Sequence, residues 1–238
     1  MKKIIQTEHN KTNLLIFLLG IVGILVSIVA KNCIVEPFFT ILLSISTSIV
    51  ASSIVAFITT IYMFENTEKV EFIRKWGIKS IYETRGVMNN EVDALFEHKV
   101  ARLDIIAYGL KSFRESKTQR IKQLLQYGMK MRIITVDPKL EILVFKDRDE
   151  GKIEGSTAAS INDLFKWCKD IGKVEVRVID TLPTELYFRV DSNVFVGPYE
   201  IGRESQQTIT MHLNGKTDGV KYYTEYFEKI WKNAKKPM

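Results

Sequence analysis

Residues 184–205, TELYFRVDSNVFVGPYEIGRES, carry the clearest strand and turn pattern in the C-terminal part of this chain. Two segments rich in aromatic and β-branched residues, ELYFRV and NVFVGPY, are separated by the polar pair Asp191-Ser192. Such residues favour strands, and Asp favours turns because its side chain accepts local backbone hydrogen bonds. The pattern predicts two strands joined by a tight turn and followed by a small polar loop.

Strand-like and helix-like segments alternate before this hairpin. RLDIIAYGL, KMRIITVDP and KVEVRVID are apolar runs typical of buried strands, whereas SKTQRIKQLLQYG and SINDLFKWCKDIG have helical periodicity and end in glycine. TITMHL follows the hairpin as a further strand, and DGVKYYTEYFEKIWKNAKK closes the chain as an amphipathic helix. This order predicts an α/β fold in which helices cover both faces of a mixed sheet.

The order of these segments resembles that of a divergent phospholipase D-like domain. In that family the last hairpin carries a histidine, a lysine two residues later and an aspartate five residues beyond the lysine. Counting back from Asp191 places Leu186 at the lysine position and Thr184 at the histidine position. The resemblance therefore implies the fold, whereas the two replacements predict that the phosphodiesterase activity has been lost.

The remaining candidates for chemistry are few. The chain has three histidines, His9, His98 and His212, and none lies at the motif position. No Gly-rich phosphate loop, metal-ligand spacing or Ser-His-Asp order is found, so we expect no cofactor and no metal. Four polar residues near the strand ends are candidate ligands for an anion, with a solvated surface role as the alternative: Ser112, Arg189, Arg203 and Ser205.

The N-terminal part of the chain is apolar. Residues 14–30 and 38–64 contain no charged residue, and a membrane-spanning helix needs about 20 apolar residues. Lysines and arginines flank the pair of segments, whereas the connecting loop holds only Lys31. Since positive flanks stay in the cytoplasm, the sequence predicts two transmembrane helices in a bacterial inner membrane, with both termini cytoplasmic and Cys33 outside.

Small residues recur along both apolar segments. On the first they are Gly20 and Gly23, and a four-residue spacing on the second gives Ser44, Ser48, Ser52, Ala56 and Thr60. Small residues allow close approach of membrane helices. Two interpretations stay open: packing within the hairpin, and a polar seam between copies in a homo-oligomer.

These observations divide the chain into three parts. Residues 1–64 are the N-terminal tail and membrane hairpin, residues 65–100 a helical stalk, and residues 101–238 the cytosolic domain. The net charge of +6 is modest and suits a basic face beside an anionic membrane as well as nucleic acid. The two cysteines, Cys33 and Cys168, are predicted to lie on opposite sides of the membrane and so to stay unpaired.

In plan the chain is similar to small bacterial antiphage membrane effectors of retron and cyclic-nucleotide signalling systems. That resemblance implies a cytosolic sensor domain whose activation disrupts or depolarises the membrane. It also implies a partner, either a nucleotide, a nucleic acid, or a reverse transcriptase or cyclase encoded nearby. The alternatives are a membrane-tethered phosphodiesterase or nuclease, and a plain membrane anchor or scaffold.

Overall fold

The computed structural model describes residues 2–30 and 36–237 and divides the chain into two compact units, residues 1–72 and 73–238. Seven α-helices and seven strands are found within the described residues. In chain order they are α1 Lys2–Ala30, α2 Glu36–Trp76, β1 Ile78–Tyr82, α3 Arg85–Phe96, β2 Arg102–Ile106, α4 Lys111–Gln126, β3 Lys130–Val136, α5 Ile142–Asp149, α6 Ser156–Ile171, β4 Val174–Ile179, β5 Glu185–Val190, β6 Asn193–Pro198, β7 Thr210–Asn214 and α7 Asp218–Asn233.

The first unit contains α1 and most of α2. Residues Glu36–Thr60 form a stretch of 25 residues with a mean hydropathy of 2.2, long and apolar enough to cross a membrane. The apolar part of α1, Leu14–Val29, is shorter. Of the two expected transmembrane helices, therefore, one meets the criteria of length and composition within the described residues. Cys33 and Lys31 lie outside those residues.

The two helices of this unit approach closely through small residues. A Cβ atom built on Gly23 would lie 2.4 Å from Ser46 Oγ, and one on Gly20 would lie 2.7 Å from a methyl group of Val50. Ser46 is almost fully buried in this contact. Glycine allows α1 to approach α2 closely at both positions, since an added Cβ would force a neighbouring side chain to shift.

The second unit is built on one mixed sheet of seven strands in the order β1-β7-β6-β5-β2-β3-β4. Strands β2, β3 and β4 are parallel, and β5, β6, β7 and β1 continue the sheet with antiparallel pairings. The predicted hairpin is β5–β6, whose register pairs Val190 with Asn193 across the two-residue turn. The α/β class and the mixed sheet are thus as the sequence predicted.

Alternating side chains bury both faces of the sheet. Leu103, Ile105 and Phe188 face one core with residues of α3, α4 and α6. Ile106 and Tyr187 face the other core, which contains Phe227 and Trp231 of α7. The amphipathic pattern of the last helix is explained by this contact, since its apolar stripe packs on the sheet.

The helical stalk predicted for residues 65–100 is wrong at residues 78–82. These residues form β1, an edge strand that pairs with β7. Val70, Ile73, Gly77 and Ile81 recur at a spacing typical of one continuous helix, but Gly77 adopts a φ of +81° and ends α2. The compact unit accordingly begins at residue 73, so that β1 and α3 belong to the α/β unit and not to a stalk.

The opposite edge of the sheet is covered by the C-terminal tail. The backbone N–H and C=O of Val178 in β4 pair with those of Lys235, at 2.8 and 2.9 Å. The ammonium group of Lys235 also pairs with the carboxylate of Asp180 at 2.5 Å. The chain therefore adds a single antiparallel bridge to the strand that would otherwise end the sheet.

Candidate functional site

A cleft of about 880 Å³ opens at the carboxyl end of β2. Its walls come from the loop Ala107–Leu110, the first turn of α4, the start of α3, and the residues around Ile153 and Ser205. β2 is parallel to β3 on one side and antiparallel to β5 on the other. In α/β sheets, ligands bind at the carboxyl ends of strands where the direction of the connections changes, and this cleft has that position.

The N-terminus of α4 faces this cleft without a side-chain cap. Leu110 precedes the helix in a left-handed conformation with a φ of 50°, and within the described residues the first turn has no side-chain cap hydrogen bond. Lys111 and Ser112 follow and both line the cleft. Unsatisfied N–H groups and the helix dipole make such a terminus favourable for an anion.

The N-terminus of α6, at the same cleft, already has an anion. The buried carboxylate of Asp147 accepts hydrogen bonds from the backbone N–H of Thr157 at 3.2 Å and from the hydroxyls of Ser156 and Thr157. This internal carboxylate satisfies the helix terminus that α4 leaves open. The backbone N–H groups at the N-terminus of α4 are thus available to a ligand, whereas those of α6 bind Asp147.

Arg85, the first residue of α3, lines the cleft and is only 3% exposed. Its guanidinium donates to the carbonyl oxygens of Pro198 at 2.7 Å and Gly197 at 3.3 Å, and lies over the ring of Tyr199 at 4.4 Å. Its Nε has no hydrogen-bond partner among the described residues. Burial lowers the pKa of this guanidinium, and the phenol of Tyr199 counteracts part of that effect.

A second group of charges lies beside Arg85. Lys146 pairs with the largely buried carboxylate of Glu150, which also accepts from Lys152 at 2.7 Å. The ammonium of Lys146 lies 4.5 Å from the ring centre of Tyr108, and Tyr108 contacts Tyr199 edge to face at 4.8 Å. Burial raises the pKa of Tyr199 to about 12. Burial also raises the pKa of Tyr108, so both phenols are un-ionised at neutral pH and can donate hydrogen bonds.

The four predicted ligand residues do not come together. Ser112 and Ser205 both line the cleft. Arg203 is exposed and pairs with Glu200 at 2.9 Å. Arg189 lies on the opposite face of the sheet, where its Nε donates to the backbone oxygen of Asp191 and its Nη1 lies 3.8 Å from Oδ2 of Asp104.

Asp104 explains why Arg189 is held on that face. Its fully buried carboxylate accepts from Arg102 at 2.6 Å and from Arg132 at 2.7 Å, and both arginines also bind Glu228 of α7. Arg132 also stacks against Phe227 and Trp231. Arg189 completes a network that attaches α7 to β2 and β3, and its charge is directed to that network.

The three motif positions have separate roles. Leu186 is buried in the core and lines the cleft, with no polar group to offer. Thr184 is exposed just before β5, where its backbone oxygen accepts from Tyr199 at 2.8 Å. Asp191 lies in the turn at the opposite end of β5, where its carboxylate accepts from the backbone N–H groups of Ala101 and Arg102 at 3.1 and 2.9 Å.

His212 lies away from the cleft, in the middle of β7. It is fully buried, its ring stacks on Phe195 at 4.2 Å, and its Nε2 is 2.9 Å from the side-chain oxygen of Asn193. Burial, together with the nearby positive charge of Lys79, lowers the pKa of His212 to about 4. The imidazole is therefore neutral at pH 7. His98 is exposed after α3, and the side chain of His9 is outside the described residues.

The predicted small-residue stripe of α2 is mostly exposed in the single chain. Ser44, Ser48 and Ser52 are exposed, and Ala56 and Thr60 are half-buried. The serines of α2 that are buried are Ser46 and Ser53. Gly20 and Gly23 of α1 therefore pack within the unit, whereas the three exposed serines lie on another face of α2.

Arg85 is the functional candidate that the sequence did not indicate. It stands alone in the segment ETRGV, and neither a motif nor a charge cluster distinguishes it. Its burial depends on the ends of β6 and on Tyr199, which are more than 100 residues away in the chain. Among the described residues, no group of three His, Cys, Asp or Glu side chains is placed to hold a metal ion.

Comparisons with known proteins find distant structural likeness only. No protein-family model and no curated protein matches the chain. An archaeal chromatin protein, TrmBL2, whose structure is described as showing a novel mode of DNA binding, aligns with a TM-score of 0.43 and 13% identity, over 80% of this chain and 70% of that one.

Nuc from Salmonella typhimurium, a phospholipase D family member, aligns with a TM-score of 0.37 and 11% identity, over 62% of this chain and 89% of that one. Likeness at this level carries no argument about activity. Function must therefore be inferred from the residues of this chain.

Proposed function

We propose that this chain is a membrane effector whose α/β unit is a non-enzymatic sensor with a degenerate phospholipase D-like fold. On activation of the sensor, the membrane helices disrupt or depolarise the bacterial inner membrane, as in antiphage defence by abortive infection. Support for the membrane part is the 25-residue apolar stretch of α2, whose side chains are mostly exposed.

The observation that carries the proposal is the cleft at the carboxyl end of β2. It offers groups that bind an anion, Arg85 and the open N-terminus of α4, but Leu186 occupies the position at which the family resemblance places the phosphate-binding lysine. The nucleophile position, Thr184, is exposed outside the cleft lining. A site that can hold a ligand but has no positioned nucleophile or base suits a receptor better than an enzyme.

The finer topology is part of the same proposal. Leu14–Val29 of α1 falls just below the length that a span usually requires, about 17 to 25 residues. We propose that it crosses the membrane together with α2 as a hairpin, with both termini in the cytoplasm. The close packing at Gly20 and Gly23 supports a hairpin because it joins the two helices within one unit.

The proposal is tested by two measurements on the full chain. In detergent micelles, the chain is expected to show no turnover of a generic phosphodiester or of single-stranded DNA. In cells, induced expression is expected to collapse the fluorescence signal of a membrane-potential dye. Residues 73–238 alone, expressed at the same level, serve as the matched control and should leave the potential unchanged.

A contrary result would favour the membrane-tethered phosphodiesterase. Turnover that is lost on His212→Gln, while that variant and the parent chain unfold at similar temperatures, would assign a catalytic role to that histidine. Normal membrane potential at high expression of the full chain, with correct insertion, would favour the plain anchor.

A further inference from the structure

We infer that Arg85 and the N-terminus of α4 form one binding site for a phosphate group carried by a small ligand. The inference rests on the proposed function, because it assigns to the sensor unit the ligand class that it detects. The site differs from the hairpin positions of the family motif, since its charge comes from α3 and its N–H groups come from α4.

Arg85 is the first step. A buried guanidinium is usually paired with a carboxylate or phosphate that accepts its forked donors. Arg85 instead donates to two neutral carbonyl groups from one nitrogen, while its Nε is buried without a partner among the described residues. The carboxylate of Glu150 acts on this charge, and an anionic oxygen of a ligand would add the acceptor that Nε lacks among the described residues.

The second step is the open terminus of α4. Both this terminus and Arg85 line the same cleft. At α6 the equivalent place is taken by Asp147, whose carboxylate accepts from three donors, the hydroxyls of Ser156 and Thr157 and the backbone N–H of Thr157. The N-terminus of α6 thus binds the oxyanion of Asp147. The N-terminus of α4 has no such side-chain acceptor among the described residues.

The third step limits the ligand. Lys146 and Lys152 are engaged by Glu150, so the cleft does not present an uncompensated row of cations as a nucleic-acid groove does. Tyr108, Tyr199 and Phe113 give the walls an aromatic character. A volume of about 880 Å³ is within the usual range for a small ligand. One or two phosphate groups on a compact organic body fit these features.

The experiment measures binding to the full chain in uncharged detergent micelles by titration calorimetry. The probes are inorganic phosphate and adenosine 5′-monophosphate as free ligands, and phosphatidylglycerol in mixed micelles as the lipid source of the same group. We expect saturable binding of at least one probe. Preference for the nucleotide or for the lipid then identifies the source of the phosphate.

Four variants locate the site. Arg85→Met should weaken binding at least tenfold, and Arg85→Lys should restore it only in part, because lysine lacks the forked geometry. Ser112→Asp should weaken binding to a similar extent by placing a carboxylate at the α4 terminus, while favouring the helix itself. Arg203→Met removes an exposed arginine that is not part of the cleft lining and should bind as the parent does.

The outcomes separate the site from the proposed function. Absence of saturable binding of all three probes to the parent chain overturns the site, as does unchanged affinity in Arg85→Met or Ser112→Asp. Because Ser112→Asp favours the helix, a loss of binding in that variant is not a folding defect. Arg85-dependent binding without any membrane depolarisation on expression confirms the site and contradicts the effector function. Arg85-dependent binding with steady turnover of the bound probe confirms the site and contradicts a non-enzymatic sensor.

Discussion

Asp191 has a structural role that explains its presence in the β5–β6 turn without the histidine and lysine of the phosphodiesterase motif. It adopts a left-handed φ of 53°, and its carboxylate accepts from two backbone N–H groups at the start of β2. We expect Asp191→Ala to lower the free energy of unfolding by about 2 kcal/mol, since it removes both bonds and strains the backbone. Asp191→Gly also removes the bonds but tolerates the φ, so it should cost about 1 kcal/mol less.

Urea unfolding followed by tryptophan fluorescence measures this difference. All three tryptophans, Trp76, Trp167 and Trp231, lie in residues 73–238, so the signal reports on the α/β unit alone. Equal stability of the parent, Asp191→Ala and Asp191→Gly would contradict the structural role assigned to this carboxylate.

His212 should make the unit sensitive to acid. Its folded pKa of about 4 lies below the ordinary value of 6.5, so the unfolded chain binds the proton more readily. The stability that neutral His212 contributes is present above pH 6.5 and is lost as the pH falls to 4, by up to about 3 kcal/mol. Unfolding of His212→Gln, measured in urea from pH 7 to 4.5, should change less with pH than that of the parent chain. Parallel curves would contradict this prediction.

Residue roles were predictable from the sequence only where they depend on near neighbours. The turn at Asp191 follows from a polar pair between two strand-like segments. The role of Arg189 could not be predicted, because a strand pattern does not reveal which face receives a buried carboxylate such as Asp104. Arg85 could not be singled out, because its burial depends on residues at the end of β6 that are more than 100 positions away. Thr184 and Leu186 were located by counting from Asp191, whereas the burial of Leu186 in the cleft needed the fold.

Gly109 and Gly86 lie at the ends of elements, and the same substitution by alanine at each tests how closely those elements pack. A Cβ on Gly109, after β2, would lie 1.9 Å from Ser160 Oγ and 2.8 Å from its backbone carbon, so Gly109→Ala must displace α6. We expect a loss of about 1–3 kcal/mol in unfolding free energy. Gly86, in the first turn of α3, has its nearest neighbour at 3.6 Å, and Gly86→Ala should raise stability by up to about 1 kcal/mol.

Thermal unfolding of the two variants tests the element contacts directly. The same change of side chain is expected to act in opposite directions, which controls for any general effect of the methyl group. If Gly109→Ala is as stable as the parent, α6 does not pack against the end of β2 as described.

Elements with a strong period were predictable, and the edge strand was not. The buried strands β2 and β3 and the amphipathic α7 follow from their own sequences because each depends on one continuous apolar pattern. β1 is five residues long and is specified by its partner β7, more than 120 residues later. The positive φ of Gly77, which separates β1 from α2, is the local feature that the helical spacing concealed.

The orientation of the whole molecule in the membrane is testable with cysteines. Cys33 should react in intact spheroplasts with a maleimide that cannot cross membranes, as the lysine distribution predicts. Cys168 is a poor control because it is buried, and burial raises the pKa of its thiol to about 12. The variant Ser192→Cys, at an exposed position, serves as the control instead. Its thiol should react only after permeabilisation. The reverse pattern would overturn the topology.

Assembly of several copies is the second prediction for the whole molecule. Ser44, Ser48 and Ser52 are exposed on the single chain and would allow close contact between copies. We expect Ser48→Leu/Ser52→Leu to keep insertion but to abolish depolarisation at equal expression. Ile45→Leu/Ile58→Leu, at exposed apolar positions, is the matched control and should retain full activity. Full activity of the serine double variant would exclude a role for this face.

At this scale the sequence predicted the division into an apolar N-terminal part and an α/β domain, because hydropathy and periodicity change abruptly near residue 64. The unit boundary at residue 72 was less accessible, since α2 continues past the apolar stretch without interruption. The cleft was not predictable, because it depends on which strand ends lie side by side.

The bridge between Val178 and Lys235 has a consequence for aggregation. Unpaired backbone groups at the edge of a sheet are a template on which strands of other molecules can add. The tail after α7 occupies part of that template on β4 and brings two lysines, Lys235 and Lys236, to its vicinity. Trimming of these few residues by a protease would leave the core intact but open the edge, and so favour edge-to-edge polymerisation.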